Sequence, residues 1–276
     1  MANNFNVEKC KNRLLTTWVG TDFNYIEQTA STNSFVKAIP SDELIHGAVY
    51  LADIQKNGRG QYERTWEAAP FLNLTFTLSF KPPGGDRLPL LSLSVATAIS
   101  KVVEAYTNEP VRLKWPNDLI CKEKKIGGLL TEAAFYGSKI DRVLIGIGLN
   151  VNQVVFSKEI DDKTTSMKTI TRCNISREQL LAAILNEIEL SYHKWHLNNL
   201  ELLREVNNKL IGYGDWVKIS IYDELKPDLY KFIGVTEKGE LLMLNGQMDV
   251  NKFCYEQIRI FPGSQNVSKA SRELSA

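Results

Sequence analysis

Apolar residues fall on every second position from Leu72 to Phe80, with Leu72, Leu74, Phe76, Leu78 and Phe80 separated by smaller or polar residues. A period of two is the pattern of a strand with one face in a core. The apolar run at 46–55 reads as a strand beside it. From Leu88 to Tyr106 the period changes, because Leu91, Val95, Ile99, Val102 and Tyr106 recur at spacings of three and four, as along one face of a helix. "VRLKWPND" predicts a strand running into a turn, since proline cannot continue a central ladder. "LICKEKKIGGLLTEA" reads as a hairpin with a charged tip, and "RVLIGIGLNV" as another buried strand. Residues 152–174 are polar and irregular. Ser176 and Gln179 have the spacing of a capping box and open a helix through Leu180, Ile184, Ile188, Tyr192 and Trp195. A shorter helix covers roughly 198–210.

After "IGYGD" the elements become short and alternating: "WVKISIY", "LYKFIGVTEKGELLML" and "KFCYEQIRI". Strands of that kind separated by turn residues predict a small barrel. The expected division is therefore a main domain over 1–210, a small β-barrel domain over 211–263 and a polar, disordered tail over 264–276. At 43% hydrophobic and 24% charged, the chain has the material for a substantial core. Its net charge of +1 makes any anion binding local. Cys10, Cys121, Cys173 and Cys254 lie far apart with no C-x-x-C pair, against a zinc ribbon or a disulfide framework. The N-terminus lacks a signal-peptide core, and no run is expected to approach the ~18 apolar residues of a membrane span. A cytoplasmic location is the expectation, with no membrane partner.

The link between the strands at 46–55 and 72–80 contains "KNGRGQYERTWE", in which Lys56, Arg59 and Arg64 sit among two glycines. A plain hairpin needs only a short turn such as Asn-Gly. This loop is longer and cationic, and Gly58 and Gly60 let backbone approach a ligand closely, so an anion is the natural guest. On its own, the stretch reads more readily as a solvated surface connection whose glycines serve a turn. It gains meaning beside "STN" at 31–33, "KWPND" at 114–118, "KKIGGLL" at 124–130 and "GIGLNV" at 146–151.

Together, in this order and spacing, these stretches resemble the catalytic domain of biotin–protein ligases, of the type without an N-terminal DNA-binding module. The resemblance spans roughly residues 20–262 and includes the small barrel. It implies an α+β fold in which a mixed sheet is flanked by helices, related to class II aminoacyl-tRNA synthetases, with an SH3-like C-terminal barrel. It implies ATP-dependent activation of biotin to biotinyl-5′-AMP, then transfer to a lysine of a biotin carboxyl carrier domain, as in acetyl-CoA carboxylase. ATP and Mg2+ would be needed with biotin as substrate, and no protein-ligated metal. The family commonly forms homodimers, so a homodimer is an expectation. No DNA partner is expected, because only about 20 residues precede the first catalytic strand.

Carried over residue by residue, Lys125, Arg59 and Asp118 would be catalytic, with Lys125 stabilising charge on the α-phosphate and Asp118 orienting Lys125 or a magnesium-bound water. Ser31, Thr32, Asn33 and Gln55 would serve biotin's ureido group, with Arg59, Gly60, Lys125, Gly128, Gly146 and Gly148 completing the biotin site. Arg59, Gly60, Gln61, Arg64, Trp66, Lys125, Asn150 and Arg259 would hold the nucleotide. Arg59 suits the task, since its guanidinium can grip a carboxylate or phosphate in bidentate fashion. The loop departs from the "GRGRRGR" of many relatives, with Gln61 and Tyr62 in place of arginines and Glu63 in place of a glycine, which implies a looser grip on the intermediate.

The rival readings are a lipoate–protein ligase or octanoyltransferase, which lack this combination of motifs, and a biotin-sensing transcriptional repressor, which needs a DNA-binding module. "GIGLN" lacks the third glycine and the downstream acid of a dinucleotide site. His193 and His196 share a helix face, but no nearby ligand in sequence completes a metal site, so they read as surface or packing residues.

Overall fold

The computed structural model describes residues 4–61, 64–255 and 257–261. The expected tail at 264–276, Tyr62 and Glu63 lie outside the described residues. The chain runs through α1 (Val7–Lys11), β1 (Phe23–Thr29), α2 (Thr32–Lys37), β2 (Val49–Gln55), β3 (Leu74–Phe80), α3 (Leu88–Thr107) and β4 (Val111–Lys114). It continues with β5 (Asp118–Cys121), β6 (Lys124–Tyr136), β7 (Lys139–Leu149), α4 (Met167–Thr171), α5 (Arg177–His196) and α6 (Leu200–Lys209). Last come β8 (Trp216–Ile221), β9 (Glu224–Leu225), β10 (Tyr230–Val235), β11 (Leu241–Leu244), β12 (Val250–Phe253) and β13 (Ile258–Phe261).

The first seven strands form one mixed sheet in the order β1-β2-β3-β7-β6-β5-β4. β1 and β2 are parallel, and the other neighbours are antiparallel. Because β-strand side chains alternate, register sorts the residues onto two faces. Leu74, Phe76, Leu78 and Phe80 of β3 lie opposite Leu149, Ile147, Ile145 and Val143 of β7, and all are buried. This face packs under α3 and α5, whose own apolar stripes complete the main core. By length and composition α3 could cross a membrane, contrary to the expectation from sequence. Its apolar residues are instead mostly buried inside the protein.

The other face carries Thr75, Thr77, Gly146 and Gly148. Helix α2 covers part of it, over a small second core of Val36, Leu44, Ala48, Tyr50 and Leu144. The rest of this face can hold something else.

Two polar clamps secure the helical layer. Asp53 on β2, fully buried in its side chain, pairs with Arg177 at 2.5 Å and accepts from Tyr25 Oη and Phe5 N. Glu189 on α5 accepts from the backbone amides of Thr17, Trp18 and Val19 and from the Thr17 hydroxyl. Burial pushes the Glu189 carboxyl upward, but these donors outweigh it and hold the group below the usual range.

The later strands form an antiparallel sheet in the order β12-β11-β10-β8-β13, with β9 on β8, curled as a half-barrel. Its Ile219, Phe232, Val235, Leu241 and Met243 belong to the same apolar core as α3 and α6. At Gly239, where φ is +81°, a β-carbon would press on the backbone of Pro89 and Leu90. The turn therefore needs glycine twice, for its dihedral and for its closeness to α3. The short helices α1 and α4 add to the elements expected from sequence. α4 is capped by Ser166, which accepts from Thr169 N, inside the stretch read as irregular.

Candidate active site

Register across the open face places Ala52, Thr75, Gly148, Gly128 and Asp118 in one row, from β2 through β3, β7 and β6 to β5. The next row holds Thr77, Gly146 and Leu130. The two β7 glycines are required by what lies on them. A β-carbon on Gly146 would collide with the amide of Asn33, and one on Gly148 with the indole of Trp66.

Lys125 reaches this face through a bulge. Strict alternation would put it on the opposite face from Gly128. The β5–β6 register shifts between Leu119, paired with Gly127, and Ile120, paired with Lys125. The extra residue, Ile126, is fully buried, and Lys125 turns back toward Asp118. A bulge that re-aims one side chain is a recurrent device beside active sites. Lys125 Nζ lies 2.6 Å from Asp118 Oδ1 and 5.7 Å from the Trp66 ring centroid. Asp118 thus holds the ammonium from one side while the indole face attracts it from another.

The cationic link folds as a small hairpin of its own. Trp66 N donates to Gly58 O at 2.9 Å, Gly60 N to Arg64 O at 2.7 Å, and Arg59 bridges to Thr65. A side chain on Gly58 would strike the Trp66 carbonyl, so this glycine lets the hairpin close. Arg59 leans over the floor with 47% of its side chain exposed, its Nη1 3.4 Å from Ser34 Oγ and its Nη2 3.4 Å from Glu132 Oε1.

Ser31, Thr32 and Asn33 open α2 and are all buried. Ser31 occupies the N-cap position but makes no side-chain cap bond. Thr32 N donates to Gln55 Oε1 at 2.7 Å, which turns the Gln55 amide nitrogen toward Gly58. Asn33 is fully engaged within the protein: Nδ2 donates to Leu130 O at 3.1 Å and Glu132 Oε2 at 2.9 Å, while Oδ1 accepts from Thr77. Its place is to build the floor over Gly146.

Two polar atoms among the described residues of this site are buried without a partner, Trp66 Nε1 and Asn150 Oδ1. One donates and the other accepts. Leaving such groups unpaired costs about 1–3 kcal/mol each, so a guest supplying both partners binds with an advantage. Asn150 is otherwise fixed, with Nδ2 donating to Thr165 O and its backbone N to Ile126 O beside the bulge.

Arg64 and Gln61 stand on the hairpin at the rim. Arg259 stands on β13 of the half-barrel, with its guanidinium donating to Tyr255 O and Ile258 O. Glu132 is the residue that sequence reasoning misses. Nothing near it in the chain marks it, since its partners Asn33 and Arg59 lie 99 and 73 positions away. Away from this face, His46 joins His193 and His196 in an aromatic cleft with Trp18 and Tyr192. Trp18 stacks on His46 at 4.5 Å, and burial, then Lys81 and His196, push the His46 imidazole below its ordinary value. Among the described residues no group of three or more His, Cys, Asp or Glu is placed to hold a metal ion.

Residues 25–150 match the sequence model of the biotin/lipoate A/B protein ligase family. The chain is also similar to proteins named as biotin ligases. Bifunctional ligase/repressor BirA of Bacillus spizizenii is 28% identical over 254 residues, 90% of this chain and 76% of that protein. Biotin–[acetyl-CoA-carboxylase] ligase of Mycobacterium tuberculosis is 27% identical over 205 residues, 71% of this chain and 73% of that one. Among solved structures, biotin protein ligase from Aquifex aeolicus in complex with biotin and ATP superimposes with a TM-score of 0.75 at 27% identity. The match covers 88% of this chain and 100% of that chain. The mixed sheet with its flanking helices and C-terminal half-barrel is the fold of those ligases.

Proposed function

We propose that this protein is a biotin–[acetyl-CoA-carboxylase] ligase. A carboxylate oxygen of biotin attacks the α-phosphorus of ATP, pyrophosphate leaves, and biotinyl-5′-AMP remains bound. The amine of an acceptor lysine then attacks the acyl carbon, AMP departs and the amine loses a proton. The acceptor is a biotin carboxyl carrier domain.

The observation that carries this reading is the convergence of Lys125 and Arg59 above one floor of glycines. Two anions must meet for the first step, and preorganised cations are what lower its barrier. Lys125, aimed by its bulge and steadied by Asp118 at 2.6 Å, would face the α-phosphate. Arg59, half exposed and only loosely paired, can swing onto a carboxylate or phosphate. Gly146 and Gly148 let Asn33 and the Trp66 indole lie flat against the sheet as the floor of the pocket, while Trp66 Nε1 and Asn150 Oδ1 await a donor–acceptor partner such as a nucleobase. Ser31, Thr32 and Gln55 would receive the ureido ring.

Mg2+ would enter with the nucleotide. With few carboxylates near the floor, the residues suit an ion carried by phosphates and water rather than a protein cage, which is magnesium's usual habit. Bound there, it would neutralise phosphate charge, while Lys125 and Arg59 position the reacting groups.

The test mixes the protein with MgATP, a biotin carboxyl carrier domain and either biotin or lipoate, and follows acceptor mass and streptavidin binding. A biotin adduct on one acceptor lysine is expected. A lipoyl adduct without a biotinyl one would sink the reading.

A further inference from the structure

We infer that Glu132 is a positioning residue that sets the donor–acceptor sense of the biotin pocket and parks Arg59 beside it. The inference rests on the ligase reading above. Glu132 stands on the open face of β6, opposite Leu144, with its side chain 21% exposed. Its two oxygens serve two separate segments: Oε2 accepts from Asn33 Nδ2 at 2.9 Å, and Oε1 faces Arg59 Nη2 at 3.4 Å. Lys37 Nζ is a looser neighbour at 3.9 Å.

As a carboxylate, Glu132 only accepts, and together with Leu130 O, 3.1 Å from the same nitrogen, it makes the Asn33 amide turn its nitrogen toward them and its oxygen toward Thr77. Thr77 Oγ1 lies 2.6 Å from Asn33 Oδ1 and 2.8 Å from Thr32 Oγ1. An amide oxygen cannot donate, so it takes the single Thr77 proton, and Thr32 must supply the proton of the second contact. The sense of the chain runs from Glu132 through Asn33 and Thr77 to Thr32. It leaves the Thr32 oxygen with lone pairs for a ligand N–H, which is what a ureido ring presents. The carboxylate therefore acts on the ligand at three removes, while its other oxygen keeps the guanidinium near the pocket.

Only a group that accepts at both ends can do this. A glutamine side chain at this position must turn its NH2 either to Asn33, where it opposes a donor, or to Arg59, where it opposes a cation. A hydrogen bond to a charged group is worth ~1.5–3 kcal/mol, so Glu132→Gln should weaken biotin binding ~10–100-fold. The rate of adenylate formation at saturating biotin and MgATP should stay within about threefold, because interactions lost equally from ground and transition states raise KM alone. Asn33→Asp should also weaken binding, by setting two carboxylates face to face. The double variant Asn33→Asp/Glu132→Gln should recover at least about fivefold over Asn33→Asp, since the introduced amide would then donate to the new carboxylate and accept from Arg59. Recovery is partial because Leu130 O loses its donor.

The experiment is isothermal titration of the full chain and these variants with biotin, beside pyrophosphate release at saturation and a melting curve for each variant. Lys37→Ala serves as the control and should leave biotin affinity unchanged. Wild-type affinity in Glu132→Gln, a loss confined to turnover, or no recovery in the double variant would overturn the inference. Failure of the wild-type protein to bind biotin would instead overturn the ligase reading on which it rests.

Discussion

The two faces of the main sheet are made from the same strands and obey opposite rules. Toward the helices, β7 presents Val143, Ile145, Ile147 and Leu149, each at most 3% exposed. Toward the site, the same strand presents Leu144, Gly146 and Gly148. One face is filled to exclude everything. The other is emptied, then furnished with Lys125, Arg59, Trp66 and a net of directional hydrogen bonds. Stability and chemistry thus occupy opposite sides of one layer, which predicts that substitutions on the two faces have separable effects.

Replacing Phe76 with alanine attacks the filled face, where the ring is fully buried under the helices. The expected loss is ~3–5 kcal/mol of stability, the usual range for Phe→Ala in a core. Thermal melting reads the loss, and turnover per folded molecule at low temperature should stay near wild type. If turnover falls with the core intact, the division between faces fails. Lys125→Ala attacks the other side and should slow adenylate formation ~10²–10³-fold, the scale of removing one preorganised donor. Its melting temperature should hardly move, because the side chain is more than a third exposed and paired only at the surface. Near-normal pyrophosphate release would remove Lys125 from the chemistry.

The smallest effect belongs to Gln61 at the rim. An arginine there would add a charged hydrogen bond in place of a neutral one, a gain of ~1 kcal/mol, or about fivefold in retention of the intermediate. Stopped-flow dissociation of preformed biotinyl-5′-AMP from Gln61→Arg should show a slower off-rate, with the difference shrinking as salt is raised. An unchanged off-rate would mean that the rim does not grip the phosphate.

Much of this arrangement is readable from sequence because it is local. The alternation through Phe76, the helical spacing from Leu91 to Tyr106 and the glycines of "GIGLN" each carry their signal within a few residues. The bulge at Ile126 is not readable, although "KKIGG" stands out, because a one-residue slip depends on which strand lies alongside. Glu132 escapes for a similar reason, as its meaning comes from residues on two other segments. The alternating strands after Trp216 are visible, but their sharing of one core with α3 and α6 is not, since Gly239 against Leu90 is a contact between distant parts of the chain. The link from His46 to His193 and His196 is hidden on the same ground. Short-range period is written in a sequence, and long-range adjacency is left to packing.

The bareness of Gly146 and Gly148 bears on how such a protein can drift over generations. The filled face can change by exchange, one aliphatic chain shrinking while its neighbour grows, because volume is conserved between them. The bare face has no such latitude: every substitution at these two positions adds atoms, and Asn33 and Trp66 already stand where those atoms would go. Variation at the pocket should therefore enter through the hairpin and its rim, at positions such as Gln61 and Arg64, and not through the floor.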